Sequence, residues 1–103
     1  GIRHAAEHYF GRSPADLSPA ESAYLALILP NPPAFHEQYV AGEIPRAFRN
    51  RIANFVRVCG TRGRYDAAAV AYGVAEAETL SFHREGDPPT WWDTRQDRGI
   101  TPR

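Results

Sequence analysis

Residues 1–35, GIRHAAEHYFGRSPADLSPAESAYLALILPNPPAF, carry the reading of the whole chain. Ile2, Ala5, Ala6 and Tyr9 fall at i, i+3, i+4 and i+7, one face of a helix, and Gly11 stands where a left-handed residue ends such a helix. Ser13-Pro14-Ala15-Asp16 and Ser18-Pro19-Ala20-Glu21 are two overlapping helix starts, each with a serine cap and a proline at the first helical position. The second also has glutamate at the third position, so serine and glutamate can satisfy backbone N–H groups reciprocally. A helix over Pro19 to Leu29 follows. Its interior, Ala23 to Leu29, is apolar nearly all round, which predicts burial on several sides. Pro30, Pro32 and Pro33 then end it, and Asn31 to Glu43 is expected to be an ordered loop anchored by Phe35 and Tyr39.

Downstream, Pro45 opens a further helix in which Phe48, Ile52, Phe55, Val56 and Cys59 form an apolar stripe, and Gly60 is expected to close it. A glycine turn over Thr61 to Arg64 leads to a last helix from Asp66 to about Ala77, weakened in its later half by Gly73. Beyond Phe82 the composition turns polar and rich in proline and glycine, so residues 83–103 read as a linker or flexible tail in which Trp91 and Trp92 could dock onto a membrane interface or a neighbouring domain. No strand signal and no repeat are present. The pattern is all-α, with about four helices.

All twelve basic residues are arginine, balanced by twelve acids, and the missing lysine removes P-loop, Schiff-base and S-x-x-K chemistry. Six arginines (Arg46, Arg49, Arg51, Arg57, Arg62, Arg64) fall between Pro45 and Tyr65 with no acid among them. This basic helix admits a nucleic-acid-binding reading, but zero net charge and a base-reading set limited to Asn50 and Asn54 make nucleic acid an unfavoured partner. His4-Ala5-Ala6-Glu7-His8 spells H-x-x-E-H, in which His4 and His8 could bind zinc, Glu7 activate water, and Glu76 or Glu78 complete the ligand set of a hydrolase. Two solvent-facing histidines on a polar helical face account for the same letters. Cys59, the single cysteine, is expected to be a small buried apolar residue. With glycine first and no methionine anywhere, the sequence reads as a piece of a longer protein.

The order of features in residues 1–35 resembles peptidoglycan glycosyltransferases of family 51. It matches the segment after their last catalytic motif: a YFGK-like helix end at Tyr9-Phe10-Gly11-Arg12, an L-S-x-x-E-A-A-x-L-A helix from Leu17, and a proline-rich loop. Arg51, Phe55, Val56 and Cys59 are similar to the family's final R-x-x-x-V-L-x-x-M motif, with cysteine in place of methionine. The likeness extends over residues 1–82, weaker toward the end, with Arg3, Arg12 and Cys59 as departures.

The resemblance implies the C-terminal part of a lysozyme-like domain that polymerises lipid II. In that reaction an acceptor 4-hydroxyl displaces undecaprenyl diphosphate with inversion. It also implies that both catalytic glutamates precede Gly1, so that no catalytic residue is expected here and the chain alone is expected to be inactive. Neither Glu7 nor Glu21 is promoted to that role. Arg51, by its motif position, and Arg12, in place of a lysine, are the implied substrate-binding candidates, with a structural arginine bonding helix-end carbonyls as the other reading of Arg51. A divalent Mg or Mn ion, lipid II and undecaprenyl-diphosphate-linked glycan are implied for the parent domain. Its implied place is the extracytoplasmic face of the bacterial inner membrane, reached through parts outside these residues.

Overall fold

A computed structural model describes residues 1–83, and within them five α-helices and one 3-10 turn follow in order. Helix α1 spans Ile2–Phe10 and ends on Gly11 at φ 64°, where the bare backbone serves twice. A side chain there would be strained, and its Cβ would lie 2.5 Å from the His83 ring, which covers the turn. The first of the two start signals makes only the 3-10 turn Pro14–Asp16, with the Ser13 hydroxyl donating to Asp16 Oδ2 at 2.9 Å. The second starts α2, Pro19–Ile28, and its capping box forms as expected from the sequence.

The segment expected to be a loop is a helix. Helix α3 covers Pro32–Ala41 and closes on Gly42 at φ 71°. Pro30, which has no N–H to continue the ladder, follows the cap of α2 at Leu29, whereas Pro32 and Pro33 stand in the first turn of α3, where a missing N–H leaves no bond unmade and the fixed φ suits the helix. Phe35 and Tyr39 are the half-buried residues that hold α3 to the core. With α3 counted, the helices are five where the sequence suggested four.

Helix α4 runs Arg46–Thr61, continuing through Gly60 to a cap at Arg62. Gly60 is needed not as a terminator but as a close approach, because a Cβ there would meet Val70 Cγ2 at 2.4 Å. Helix α5, Ala67–Ala77, is capped by Asp66, whose side chain accepts from Ala69 N at 2.8 Å, and passes unbroken through Gly73. Gly73 lies against Pro19 and Val56, so α2, α4 and α5 meet at a point with no room for a methyl group.

The core is centred on α2. Tyr24, Leu25 and Ile28 of α2, and Ile52 and Val56 of α4, are fully buried. Around Tyr24 the rings of Phe82, Phe48, Phe10 and Tyr9 stand 5.5 to 6.0 Å away, mostly edge to face. Burial, reinforced by Tyr9, pushes the Tyr24 phenol well above the ordinary tyrosine value, so it stays protonated and donates to Gln38 Oε1 at 3.0 Å. The expected tail, including Trp91 and Trp92, lies outside the described residues apart from His83, whose N–H donates to Tyr9 O at 2.8 Å.

Candidate functional site

The start of α2 gathers most of the buried charge among the described residues. Ser18 Oγ accepts from Glu21 N at 3.2 Å, and Glu21 Oε1 accepts from Ser18 N at 2.9 Å. Arg12 Nη1 donates to the other Glu21 oxygen at 2.6 Å. From α5, Glu76 accepts from Ser18 Oγ at 2.5 Å and from Ala20 N at 3.2 Å. Two carboxylates thus satisfy a helix N-terminus, where exposed N–H groups and the helix dipole favour negative charge. Both are buried, Glu21 at 5% and Glu76 at 7% exposure, and their oxygens are occupied by these bonds. This is a clamp on the fold, not an open acid–base site.

Arg12 belongs to that clamp. Its side chain is 7% exposed and turned inward on Glu21. Its planar fork sits over the start of α2.

Helix α4 presents the open basic face. Arg51 is exposed and its Cζ stands 4.9 Å from the Phe48 ring centroid, a cation–π contact that steadies the side chain without neutralising it. Arg46 pairs at the surface with Glu78. The role of bonding helix-end carbonyls falls to Arg49, which donates to Ile44 O at 3.0 Å, Ala77 O at 3.1 Å and Leu80 O at 2.9 Å, closing the end of α5. Among the described residues no carboxylate pairs with Arg51, Arg57, Arg62 or Arg64. Asn50 and Asn54 are exposed on the same helix.

The H-x-x-E-H run does not gather a metal site. The His4 and His8 rings lie parallel with centroids 6.4 Å apart, and His8 is tilted against Tyr39 at 4.5 Å. The two possible distant ligands are used elsewhere: Glu76 on α2, and Glu78 on Arg46. Among the described residues no group of three His, Cys, Asp or Glu side chains could hold an ion. His8 acts as an aromatic neighbour of Tyr9 and Tyr39.

The sequence did not show the roles that Glu76 and Arg49 play in the structure. Glu76 had a signal: an acid three residues past Gly73 and next to Ala77, on the face of α5 that must be buried. Arg49 had none that set it apart from its five neighbours in the basic segment.

A family model described as transglycosylase matches residues 1–58, from α1 through most of α4. A protein named biosynthetic peptidoglycan transglycosylase, from Nitrosomonas europaea, is 62% identical over 32 residues, which make up 31% of this chain and 13% of that protein. The matched stretch is thus a small part of the relative's own length. No solved structure matches the chain.

Proposed function

Because the chain belongs to the transglycosylase family, more than half of its residues lying within the match, we infer that it is part of a peptidoglycan glycosyltransferase, an enzyme that joins lipid II into glycan strands for the bacterial cell wall. The observation that carries this reading is the family match laid over a continuous folded core, α1 to α4, with the YFGR helix end and the Ser18–Glu21 capping box both formed as structure.

The reaction needs a carboxylate that takes a proton from the acceptor hydroxyl and cationic groups that stabilise the departing diphosphate. The two buried carboxylates are committed to Ser18, to backbone N–H groups of α2 and to Arg12, and by resemblance the base comes from outside these residues. Of the exposed arginines on this face, Arg51 is the one assigned to that role, for its motif position and because it is steadied on Phe48 without a carboxylate partner among the described residues. A divalent ion, expected by resemblance, finds no ligand set among the described residues and would be held by other parts of the domain. The reading places the enzyme at the extracytoplasmic face of the inner membrane. No helix among the described residues is long and apolar enough to cross a bilayer.

The test is glycan-strand formation from purified lipid II by the longer polypeptide that carries this chain. Arg51→Ala is expected to lower turnover by roughly a hundredfold, the loss typical of one group stabilising developing negative charge, with Arg51→Lys intermediate and helicity unchanged. Full activity in Arg51→Ala would remove Arg51 from the substrate. Failure of the unmutated longer polypeptide to polymerise lipid II would end the functional reading.

A further inference from the structure

One apolar furrow runs over the side of the molecule where α2, α4 and α5 meet. Its larger part, an open cavity of about 670 Å³ between α4 and α5, is floored by Gly60, Ala67, Val70, Ala71 and Val74, with Arg57 on its rim. The smaller part, about 340 Å³, lies between α2 and α4 and is lined by Ala23, Ala26, Phe55 and Cys59, with Arg64 at the edge. Tyr65 borders both.

We propose that this furrow seats an amphipathic helix from the remainder of the transglycosylase polypeptide, apolar toward Ala26 and Ala71 and bearing carboxylates opposite Arg57 and Arg64. The inference rests on the reading that the chain is part of a larger transglycosylase domain. Helix α2 is apolar on nearly every side, which requires cover on every side, yet Ala26 is exposed and Leu27 and Leu29 are only half-buried. Within α5, Ala67, Ala71 and Ala75 repeat at four-residue spacing along the groove and leave the close approach that a helix ridge needs. A concave trough between helices receives a helix better than it receives a flat lipid surface.

Charge fixes the sign of the partner. No acid lines either part of the furrow, and no carboxylate among the described residues pairs with Arg57 or Arg64. A second copy of this chain would bring its own arginines to the same place, so an acidic occupant from elsewhere in the polypeptide is favoured. The 32 matched residues are 13% of the curated relative, so that protein is more than twice as long as this chain, and a homologue of that length has a further segment to supply one.

The test compares the 103-residue chain with the longer polypeptide that contains it, each carrying Cys59→Ala and either Ala26→Cys or Ala71→Cys, one reporter per cavity. Alkylation by a soluble maleimide is normalised to the rate in urea. Both reporters are expected to react freely in the short chain and at least about tenfold more slowly in the long one, as for groups released only by local opening. Arg57→Glu should abolish most of that protection, and Arg57→Lys should keep it. Equal reactivity in the two polypeptides overturns the proposal, as does protection that ignores Arg57→Glu. Protection of the short chain alone, rising with its concentration, would assign the furrow to a second copy and overturn it too. Protection in a long polypeptide that fails to polymerise lipid II leaves this proposal standing and sinks only the functional reading.

Discussion

Glu21 and Glu76 approach the same helix end from opposite directions in sequence. Glu21 acts on its own first turn, whereas Glu76 reaches from α5 across 58 residues to Ser18 Oγ. The second is the more consequential, because it ties α5 to α2 through a charge-assisted bond in the core. Glu76→Ala would leave the Ser18 hydroxyl and the Ala20 N–H without that acceptor, at a cost of about 2–4 kcal/mol. For a unit of this size that lowers Tm by roughly 10–30 °C. Glu76→Gln keeps one acceptor oxygen and should fall between. Thermal melts followed by circular dichroism check the order, and a Glu76→Ala variant melting with the parent chain would show that the clamp contributes nothing.

At the scale of elements, Gly73 sets two effects against each other. Alanine there would gain up to about 1 kcal/mol of helix propensity, but its Cβ would sit 2.8 Å from both Pro19 Cβ and Val56 Cγ1. Proline cannot swing aside, so overpacking of about 1–3 kcal/mol wins. Gly73→Ala is expected to lower Tm, and a rise would refute the close packing of α2, α4 and α5. The same site explains what could be read from sequence. Caps and stripes are local, so α2, α4 and α5 were legible within a residue or two. Gly73 and Gly60 looked like weakness or termination because the contacts that require them come from other helices. Helix α3 was hidden by Pro32 and Pro33, since a proline that breaks one helix and a proline that begins the next are the same letter. Its hold on the core comes from Phe35 and Tyr39, half-buried against rings contributed by α1, α4 and the segment after α5. At the site, motif position makes Arg51 a candidate, but the letters do not show that Arg49, two residues away, bonds the carbonyls at the end of α5. That is decided by which α4 arginine faces Ala77 O and Leu80 O, a fact of helix pairing absent from the linear string.

At the scale of the whole molecule, the family match ends at residue 58 but the folded unit does not. Helix α5 supplies Glu76 to α2, receives Arg49 from α4, and covers Val56 with the backbone of Gly73. A chain stopped at Arg62 would keep every matched residue, yet it would leave the Ser18 clamp half made and uncover the inner face of α4. It is expected to retain helical far-ultraviolet signal, lose its near-ultraviolet tyrosine signal and bind a hydrophobic dye, the behaviour of a collapsed state without fixed packing. A sharp, cooperative melt of the truncated chain would show that the matched segment is self-sufficient.

The bond from His83 N to Tyr9 O, with the His83 ring lying over Gly11, joins positions near opposite ends of the described chain. Long-separation contacts of this kind close late, since the intervening loop loses its freedom before the contact repays it. During synthesis the first helix therefore waits for its cover. At roughly 5–20 residues per second, the stretch from residue 58 to residue 83 takes about one to five seconds to emerge. For that interval Tyr9 and Phe10 have Tyr24 beside them but lack Phe82 and the cover of His83, so the edge that those two residues close in the finished fold stays open to a chaperone.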